Sequence, residues 1–294
     1  MTYDKMRNGY KVCMAAFLFL LLVALVSVGI RFATLNYIYP NCNWRDYRSP
    51  DWTVYLSAAR HLIQGENIYQ LLGHYQFYNP PWMLLLYLPF LLIPYPINLA
   101  LFTSIGLVAY LYLYTRYNSN LLSAVFYLIS APIFVGLFMG QLDWAVLLGL
   151  LLPPQYGLFL ILAKPQVGCV VALLWLIDAY KERRVIQTFL PVTVGFALSF
   201  LVFGLWPLNW FSLTRVEPLW TWPYILVLGI PLLIYSIKHQ SVQSALCAGP
   251  ALSPHTLLHS WSGSLLWIAH PAVMAVVSFG TWAIRIYGSL HLTP

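Results

Sequence analysis

Long apolar stretches separated by short polar segments dominate the chain. The first runs from Val12 to Ile30 without a charge, close to the roughly 20 residues that a helix needs to cross a hydrocarbon core of about 30 Å. Further charge-poor stretches follow at 82–114, 121–138, 142–152, 156–163, 165–177, 185–205, 222–237, 241–253 and 264–284. The pattern predicts an all-α polytopic integral membrane protein with about 8–10 transmembrane helices.

Several of these stretches are too short for a simple crossing and are bounded by prolines. We count 82–114 as one broken crossing, kinked by its prolines. Pro153, Pro154 and Pro165 break the chain further on. Broken helices are tolerated at membrane depth only where they are buried in protein or line a wet cavity. The sequence therefore predicts a cavity that opens outward.

Composition excludes a soluble globule, because 61% of the residues are hydrophobic, only 8% are charged and the mean hydropathy is +0.73. The formal net charge of +7 does not indicate nucleic-acid binding, because the basic residues are scattered among apolar segments. The cysteines form no C-x-x-C pair, so neither a disulfide framework nor a zinc site is indicated. They are Cys13, Cys42, Cys169 and Cys247.

We expect a single transmembrane domain over 1–294 in the cell (inner) membrane, and the distribution of basic residues favours a cytoplasmic N-terminus. The first apolar run is longer than a signal-peptide core and no A-x-A-like site follows it, so we expect it to be retained. With alternating sides, the short inside loops are basic, as the positive-inside rule requires. The inside set is Lys5, Arg7, Lys11, Arg116, Lys181, Arg183, Arg184, Lys238 and Arg285. The acidic residues that fall outside are Asp46, Asp51, Glu66, Asp143 and Glu217.

The only long polar segment, 31–81, is predicted to be an extracytoplasmic loop that carries an amphipathic surface helix. Ser49 is the expected N-cap, Pro50 the first helical residue and Asp51 a first-turn acid, while Gly65 ends the helix. The apolar face holds Trp52, Tyr55, Leu56, Ala59, Leu62 and Ile63, and the polar face Thr53, Ser57, Arg60 and Gln64. We expect this helix to lie on the outer membrane surface.

A series of short motifs resembles one enzyme family. Asp51–Tyr69 and Phe77–Pro81 match, in order and spacing, a D-x-x-x-Y, A-A-R, G-x-x-x-Y and Y-x-P series; Gly140–Asp143 matches G-Q-x-N/D, Ala163–Pro165 a K-P motif and Ser253–His255 an S-P-H segment. The chain thereby resembles the polyprenol-phosphate-mannose-dependent mannosyltransferases of the C-type membrane glycosyltransferase superfamily. Two departures are expected from the sequence: the chain is short, so we expect it to lack the family's last helices, and the turn Pro153–Tyr156 stands where a basic cytoplasmic loop is usual.

The resemblance implies transfer of a hexose, with mannose favoured, from a polyprenyl-phosphate sugar donor to a lipid-linked or glycan acceptor, with inversion. It assigns the general base to Asp51, in keeping with a first-turn acid that stays ionised near a helix N-terminus. The alternative role for Asp51 is to stabilise that helix end. Asp46, flanked by basic residues, is the rival base.

Binding of the donor phosphate is expected to need cations, of which Lys164 is the best candidate because a lysine at membrane depth needs a partner. The alternative for Lys164 is snorkelling to the interface. Arg60, on the polar face of the surface helix, can instead contact lipid headgroups. Gln141 and Asp143 can bind sugar hydroxyls or acceptor, or merely cap a short helix.

His255 is a further candidate for the phosphate or the acceptor, with an interfacial turn as its alternative role. Tyr78 can stack on the sugar or belong to an interfacial aromatic belt. His259, His270 and His291 show no ligand spacing and receive no role. Asp51 and Asp46 could bring a metal ion, as in some C-type relatives. We nevertheless predict no metal and no cofactor, because the loop has no D-x-D motif and a base with cationic phosphate contacts needs no ion.

Two other classes of protein remain open. One is a non-catalytic membrane subunit derived from this family, whose external loop binds a partner or lipid. The other is a secondary transporter, which also uses broken helices; it predicts inverted internal symmetry, which the halves of this sequence do not show. In all three cases the partners include membrane lipids and exclude nucleic acid.

Overall fold

The computed structural model of the protein describes residues 50–69, 76–95, 97–209 and 222–291. Every regular element in these ranges is a helix, which confirms the all-α prediction for this part of the chain. The predicted first span at Val12–Ile30, the N-cap at Ser49 and the rival base Asp46 lie outside the described residues.

The described helices follow one another with short connections. The α-helices are α1 Pro50–Gln64, α2 Ile97–Tyr117, α3 Leu121–Leu128, α4 Ala131–Met139, α5 Asp143–Leu148, α6 Pro154–Ile161, α7 Pro165–Lys181, α8 Val185–Phe203, α9 Leu226–His239, α10 Val242–Leu252 and α11 Pro271–His291. The 3₁₀ segments are Pro81–Leu86, Leu88–Leu92, Gly149–Leu151, Trp206–Asn209 and Leu258–Trp267.

Two of these helices, α2 with 21 residues and α8 with 19, are long and apolar enough to cross a membrane. The pair α3 and α4 passes the same test jointly, but it is bent by 51° at the break between the two helices. Helices α9, α10 and α11 are apolar and shorter in their described parts. Two or three candidate spans are therefore present in the described ranges, and the total of 8–10 stays a prediction for the whole chain.

Helix α8 exposes most of its apolar side chains. Large exposed side chains on it are Ile186, Leu190, Val194, Leu198, Leu201 and Val202. An apolar surface of this extent requires a partner other than water. A lipid environment supplies that partner, in keeping with the length and hydropathy of the helix.

Helix α1 begins and ends as predicted, with Gly65 in the left-handed region at φ 70° directly after it. Its burial is wider than the predicted stripe, because Val54 and Ala58 are also buried. The helix packs on the 3₁₀ segments Pro81–Leu86 and Leu88–Leu92 and on α4. The expectation that its apolar face lies on the membrane surface therefore needs correction: most of that face contacts the protein itself, and only Ile63 at its end is largely exposed.

The stretch 82–114 is not one kinked helix. Its first part forms the two 3₁₀ segments, and α2 starts separately at Ile97. Proline at the start of each short segment and again at Pro94 explains the difference, because each proline removes a backbone donor. Within the described residues of this stretch, therefore, only α2 is long enough to cross a membrane.

The later helices pack closely at glycine positions, where the backbones of neighbouring helices approach each other. A Cβ at Gly168 of α7 would lie 2.1 Å from the carbonyl oxygen of Ile161 in α6, so this hairpin needs glycine. A Cβ at Gly249 of α10 would lie 2.9 Å from backbone oxygens at the start of α7. Helix α10 also packs on α9 and on Leu258–Trp267. These contacts bring the breaks before α5 and α7 towards the same region as Leu258–Trp267.

Candidate functional site

A glycine-based helix end positions Gln141 and Asp143. Gly140 has φ 76°, its N–H donates to the carbonyl of Leu137 at 3.1 Å, and the Gln141 N–H donates to the carbonyl of Gly136 at 2.8 Å. This pair of bonds is a Schellman motif, which ends α4 abruptly. Helix α5 then starts at Asp143, so Gln141 lies in the break between two short helices and Asp143 is the first residue of the second.

A proline-based break positions Lys164. Pro165 is the first residue of α7, and Lys164 before it has φ −129° and ψ 89°, because a residue that precedes proline is excluded from the helical region. The Lys164 carbonyl accepts from Val167 and Gly168 in the first turn of α7. Lys164 therefore lies in the short connection between α6 and α7.

Helix α1 is fixed against this region by its aromatic side chains. The Trp52 ring lies 4.7 Å from Phe102 and 5.5 Å from Tyr87, and Tyr55 lies 4.8 Å from Tyr87. A Cβ at Gly140 would lie 2.8 Å from Trp52 Cβ, so the glycine also admits α1 to the end of α4. Asp51 is thereby held beside Gln141, whose Nε2 donates to Asp51 Oδ2 at 2.6 Å.

The centre of the cluster is a buried ion pair. Lys164 Nζ lies 3.0 Å from Asp143 Oδ2 and also donates to Gln141 Oε1. Exposed fractions are 4% for Lys164, 0% for Asp143 and 6% for Gln141. Buried charges of this kind are costly unless they are paired and hydrogen-bonded. Here each charge has its partner.

Residues from the loop motif complete the network. Tyr55 Oη lies 3.2 Å from Gln141 Oε1 and 3.3 Å from Asn79 Oδ1, and Asn79 Nδ2 donates to the carbonyl of Ala163 at 3.0 Å. Tyr69 Oη donates to the carbonyl of Asn79 at 3.2 Å. The loop motif, the G-Q-x-D motif and the K-P motif are therefore joined by direct hydrogen bonds, although as many as 90 positions separate the partners.

His259 was missed by the sequence analysis, which gave it no role. Its Nδ1 lies 2.9 Å from Asp143 Oδ2, and it is only 2% exposed. The contact has ion-pair distance without the geometry of a directional hydrogen bond. Gly136 admits it, since a Cβ there would lie 3.1 Å from His259 Cβ. The only sequence signal was a second histidine four positions after His255, in a segment that the structure folds as a 3₁₀ helix.

For both Asp51 and Asp143, burial raises the pKa of the carboxyl and neighbouring groups lower it, but the balance differs between the two. Burial raises the pKa of Asp51, and His259, the Gln141 hydrogen bond and Lys164 oppose this only in part. Burial would also raise the pKa of Asp143, but His259 and Lys164 outweigh it and hold this pKa well below its usual range. Asp143 is therefore a fixed anion, whereas Asp51 is the carboxyl with increased proton affinity. The sequence-based expectation of a simple first-turn acid understated the effect of burial on Asp51.

The remaining predicted residues lie at different distances from the cluster. His255 is partly buried, and burial, together with His259 and Lys164, lowers its pKa. Tyr78 precedes Asn79 in the chain and is partly exposed. Arg60 is exposed and follows Asp51 by about 13 Å along α1 at 1.5 Å per residue, so the structure does not bring it into the cluster.

The cluster residues do not border the cavity that the described residues form beside the C-terminal end of α2. A cavity of about 490 Å³ is bordered by Tyr112, Arg116, Tyr117, Leu150 and Leu151. The predicted outward-opening cavity is thus not seen at Lys164 and Asp143, which are sealed; the accessible edge of the cluster is at Asp51 and His255, both partly exposed. Within the described ranges, no three His, Cys, Asp or Glu side chains are grouped closely enough to hold a metal ion.

In the part of the chain that the structure describes, the fold is all-helical, with membrane-length apolar helices and a buried, ion-paired polar centre. Comparisons of the chain with protein-family models, curated proteins and solved structures found no match.

Proposed function

We propose that this protein is a membrane glycosyltransferase with C-type architecture. It transfers a hexose, with mannose favoured, from a polyprenyl-phosphate donor to a hydroxyl of a lipid-linked or glycan acceptor on the extracytoplasmic side. Asp51 is the general base.

The observation that carries the proposal is the contact among the motif residues. Asp51, Gln141, Asp143 and Lys164 were singled out by their motifs alone, and they form one hydrogen-bonded cluster with Tyr55 and Asn79 of the loop motif. A helix-capping role for Gln141 and Asp143 does not require contact with Asp51 or Lys164. A shared site does require it, and this supports the resemblance as a functional one.

In the proposed reaction the acceptor oxygen attacks the anomeric carbon and the bond from that carbon to the phosphate oxygen breaks. The electron pair leaves with the polyprenyl phosphate, which needs no proton, and the acceptor proton passes to a carboxylate. Inversion follows from attack on the face opposite the phosphate. One base is sufficient for this step.

Asp51 has the properties that such a base needs. It is partly exposed at the edge of the cluster, so an acceptor can reach it, whereas Asp143 is fully buried and tied to Lys164. The raised pKa of Asp51 makes it a stronger base than an ordinary aspartate. One oxygen, Oδ2, is held by Gln141, which orients the carboxylate.

His255 and Tyr78 are the proposed substrate contacts at the accessible edge. His255 can donate an N–H to a phosphate or acceptor oxygen, and its lowered pKa keeps it neutral there. Tyr78 can stack on the sugar ring. The motifs assign the donor phosphate to Lys164 and to Arg60, of which Arg60 is the weaker candidate because it lies outside the cluster. They assign the sugar hydroxyls or the acceptor to Gln141 and Asp143.

The test is transfer of radiolabelled mannose from a polyprenyl-phosphate donor into lipid, in membranes that hold the wild-type chain, Asp51→Asn or Asp178→Asn at matched expression. Asp51→Asn keeps the size of the side chain and removes the base. Asp178→Asn is the matched control, because Asp178 is exposed on α7 and only 3.9 Å from Lys181 in a surface pair. We expect wild-type transfer, an unchanged rate for Asp178→Asn and loss of transfer for Asp51→Asn.

The other outcomes point elsewhere. Absence of wild-type transfer with mannose and other polyprenyl-linked sugars would refute the enzyme and favour the non-catalytic subunit. In that case, uptake of a labelled solute into vesicles would identify the transporter instead. Transfer that survives in Asp51→Asn would keep the enzyme and move the base to Asp46.

A further inference from the structure

Lys164 has almost no access to a ligand. It is 4% exposed, and its ammonium already contacts the Asp143 carboxylate at 3.0 Å and the Gln141 amide oxygen. Of the three N–H donors of a lysine, two are used by buried side chains. A phosphate would have to enter this sealed space and compete with Asp143 for the same cation.

Lys164, together with the Tyr55 hydroxyl, sets the orientation of the Gln141 amide. A lysine ammonium donates and cannot accept, so the Gln141 atom next to it must be the oxygen Oε1. The nitrogen Nε2 must then occupy the other side, where it donates to Asp51 Oδ2 at 2.6 Å. Without the lysine, Oε1 keeps only the Tyr55 hydroxyl, 3.2 Å away, as a donor, so the amide and the carboxylate that it holds are fixed less firmly.

Asp143 holds the Lys164 ammonium in place, and His259 contacts the same carboxylate oxygen of Asp143. Asp143 Oδ2 is shared between Lys164 at 3.0 Å and His259 Nδ1 at 2.9 Å. Asp143 is fully buried and His259 nearly so. The described groups around Asp51 are thus a chain of contacts in the order Asp51, Gln141, Lys164, Asp143 and His259.

We propose that Lys164 is a positioning residue for the Asp51 base, acting through the Gln141 amide, and not a ligand of the donor phosphate. Asp143 and His259 anchor the lysine. This inference rests on the proposed glycosyl transfer. It gives a reason for a buried ion pair, which on its own contributes little to stability.

The test measures kcat and the donor KM of purified protein for transfer from polyprenyl-phosphate mannose. Lys164→Met removes the ammonium, and the paired variant Lys164→Met/Asp143→Asn removes both buried charges, which keeps the protein foldable. We expect kcat to fall about 100-fold in both, the size of effect that a misplaced catalytic group produces. The donor KM should stay within about threefold, because a group that acts only in the transition state changes kcat rather than KM.

Gln141→Glu supplies a second, independent test. The glutamate keeps an acceptor for Lys164 but has no N–H for Asp51, so kcat should fall to the same level. Combining it with Lys164→Met should add little, since both changes remove one interaction. In both single variants the acid limb of the kcat–pH profile should move to higher pH, because Asp51 loses a hydrogen bond that favours its charged form.

The outcomes separate this inference from the proposed function. A donor KM raised tenfold or more with kcat little changed would make Lys164 a phosphate ligand and overturn the inference while keeping the enzyme. Independent, multiplying losses in Lys164→Met and Gln141→Glu would also overturn it. Absence of wild-type transfer would refute the proposed function, and the positioning role with it.

Discussion

Whether Lys164 and Asp143 form a coupled, buried ion pair can be tested by thermal stability, without measuring activity. Removal of one partner from a buried ion pair leaves an uncompensated buried charge and costs about 3–5 kcal/mol. Lys164 and Asp143 fit this case, since they are 4% and 0% exposed and 3.0 Å apart. Large domains lose about 2 °C in Tm per kcal/mol. Asp143→Asn should therefore lower the Tm by roughly 6–10 °C.

Lys164→Met and Asp143→Asn should differ in the stability that they lose. In Lys164→Met the carboxylate of Asp143 keeps His259 at 2.9 Å as a second partner, whereas in Asp143→Asn the lysine keeps only the neutral Gln141 oxygen. We therefore expect Asp143→Asn to be the less stable of the two. The double variant, in which neither charge remains, should lie within about 2 kcal/mol of the wild type, because a neutral replacement of a buried pair is nearly free of cost.

The assay is the loss of monodisperse protein on heating in detergent, followed by size-exclusion chromatography. The chain offers a matched control on α7, where Lys181 and Asp178 form an exposed pair at 3.9 Å. Lys181→Met, Asp178→Asn and their double variant should each change stability by less than about 1 kcal/mol. If the losses of Lys164→Met and Asp143→Asn simply added in their double variant, the two charges would not be coupled and the reasoning would fail.

Three further predictions follow from other parts of the structure. Gly140→Ala should destabilise the protein by about 1–3 kcal/mol, because its backbone is left-handed. Gly65→Ala should cost less: both glycines have positive φ, but only a Cβ at Gly140 would clash with Trp52 of α1. Equal losses of Tm in the two variants would contradict this. Transfer should decline as the pH falls through the raised pKa of Asp51, so an acid limb at the usual aspartate range in a kcat–pH profile would argue against Asp51 as the base. Single cysteines at Glu66 and Arg183, both exposed, should react with an impermeant maleimide from opposite sides of the membrane; labelling from one side would overturn the predicted topology.

The positions of two helices were predictable from the sequence, whereas the predicted stretches 121–138 and 264–284 each contain a break. The start of α1 at Pro50, its end before Gly65 and the bounds of α8 agree with the predictions within two residues. These features depend on local chemistry, namely a proline in a first turn, a glycine after a last turn and an unbroken apolar run. The division of 82–114 was not predictable at this level, because a proline-rich apolar run is compatible with a kinked helix and with two 3₁₀ segments.

The sequence by itself determined the all-helical, apolar character of the protein and which polar residues were candidates for chemistry, because composition, period and motif spacing are properties of the chain. Only the tertiary structure decided what those residues do to one another. It buried Lys164 against Asp143, turned the Gln141 amide towards Asp51 and added His259, which had no signal of its own. The physical reason is that burial and pairing arise where helix breaks distant in the chain meet, and the cost of each buried charge depends on partners that no local pattern specifies.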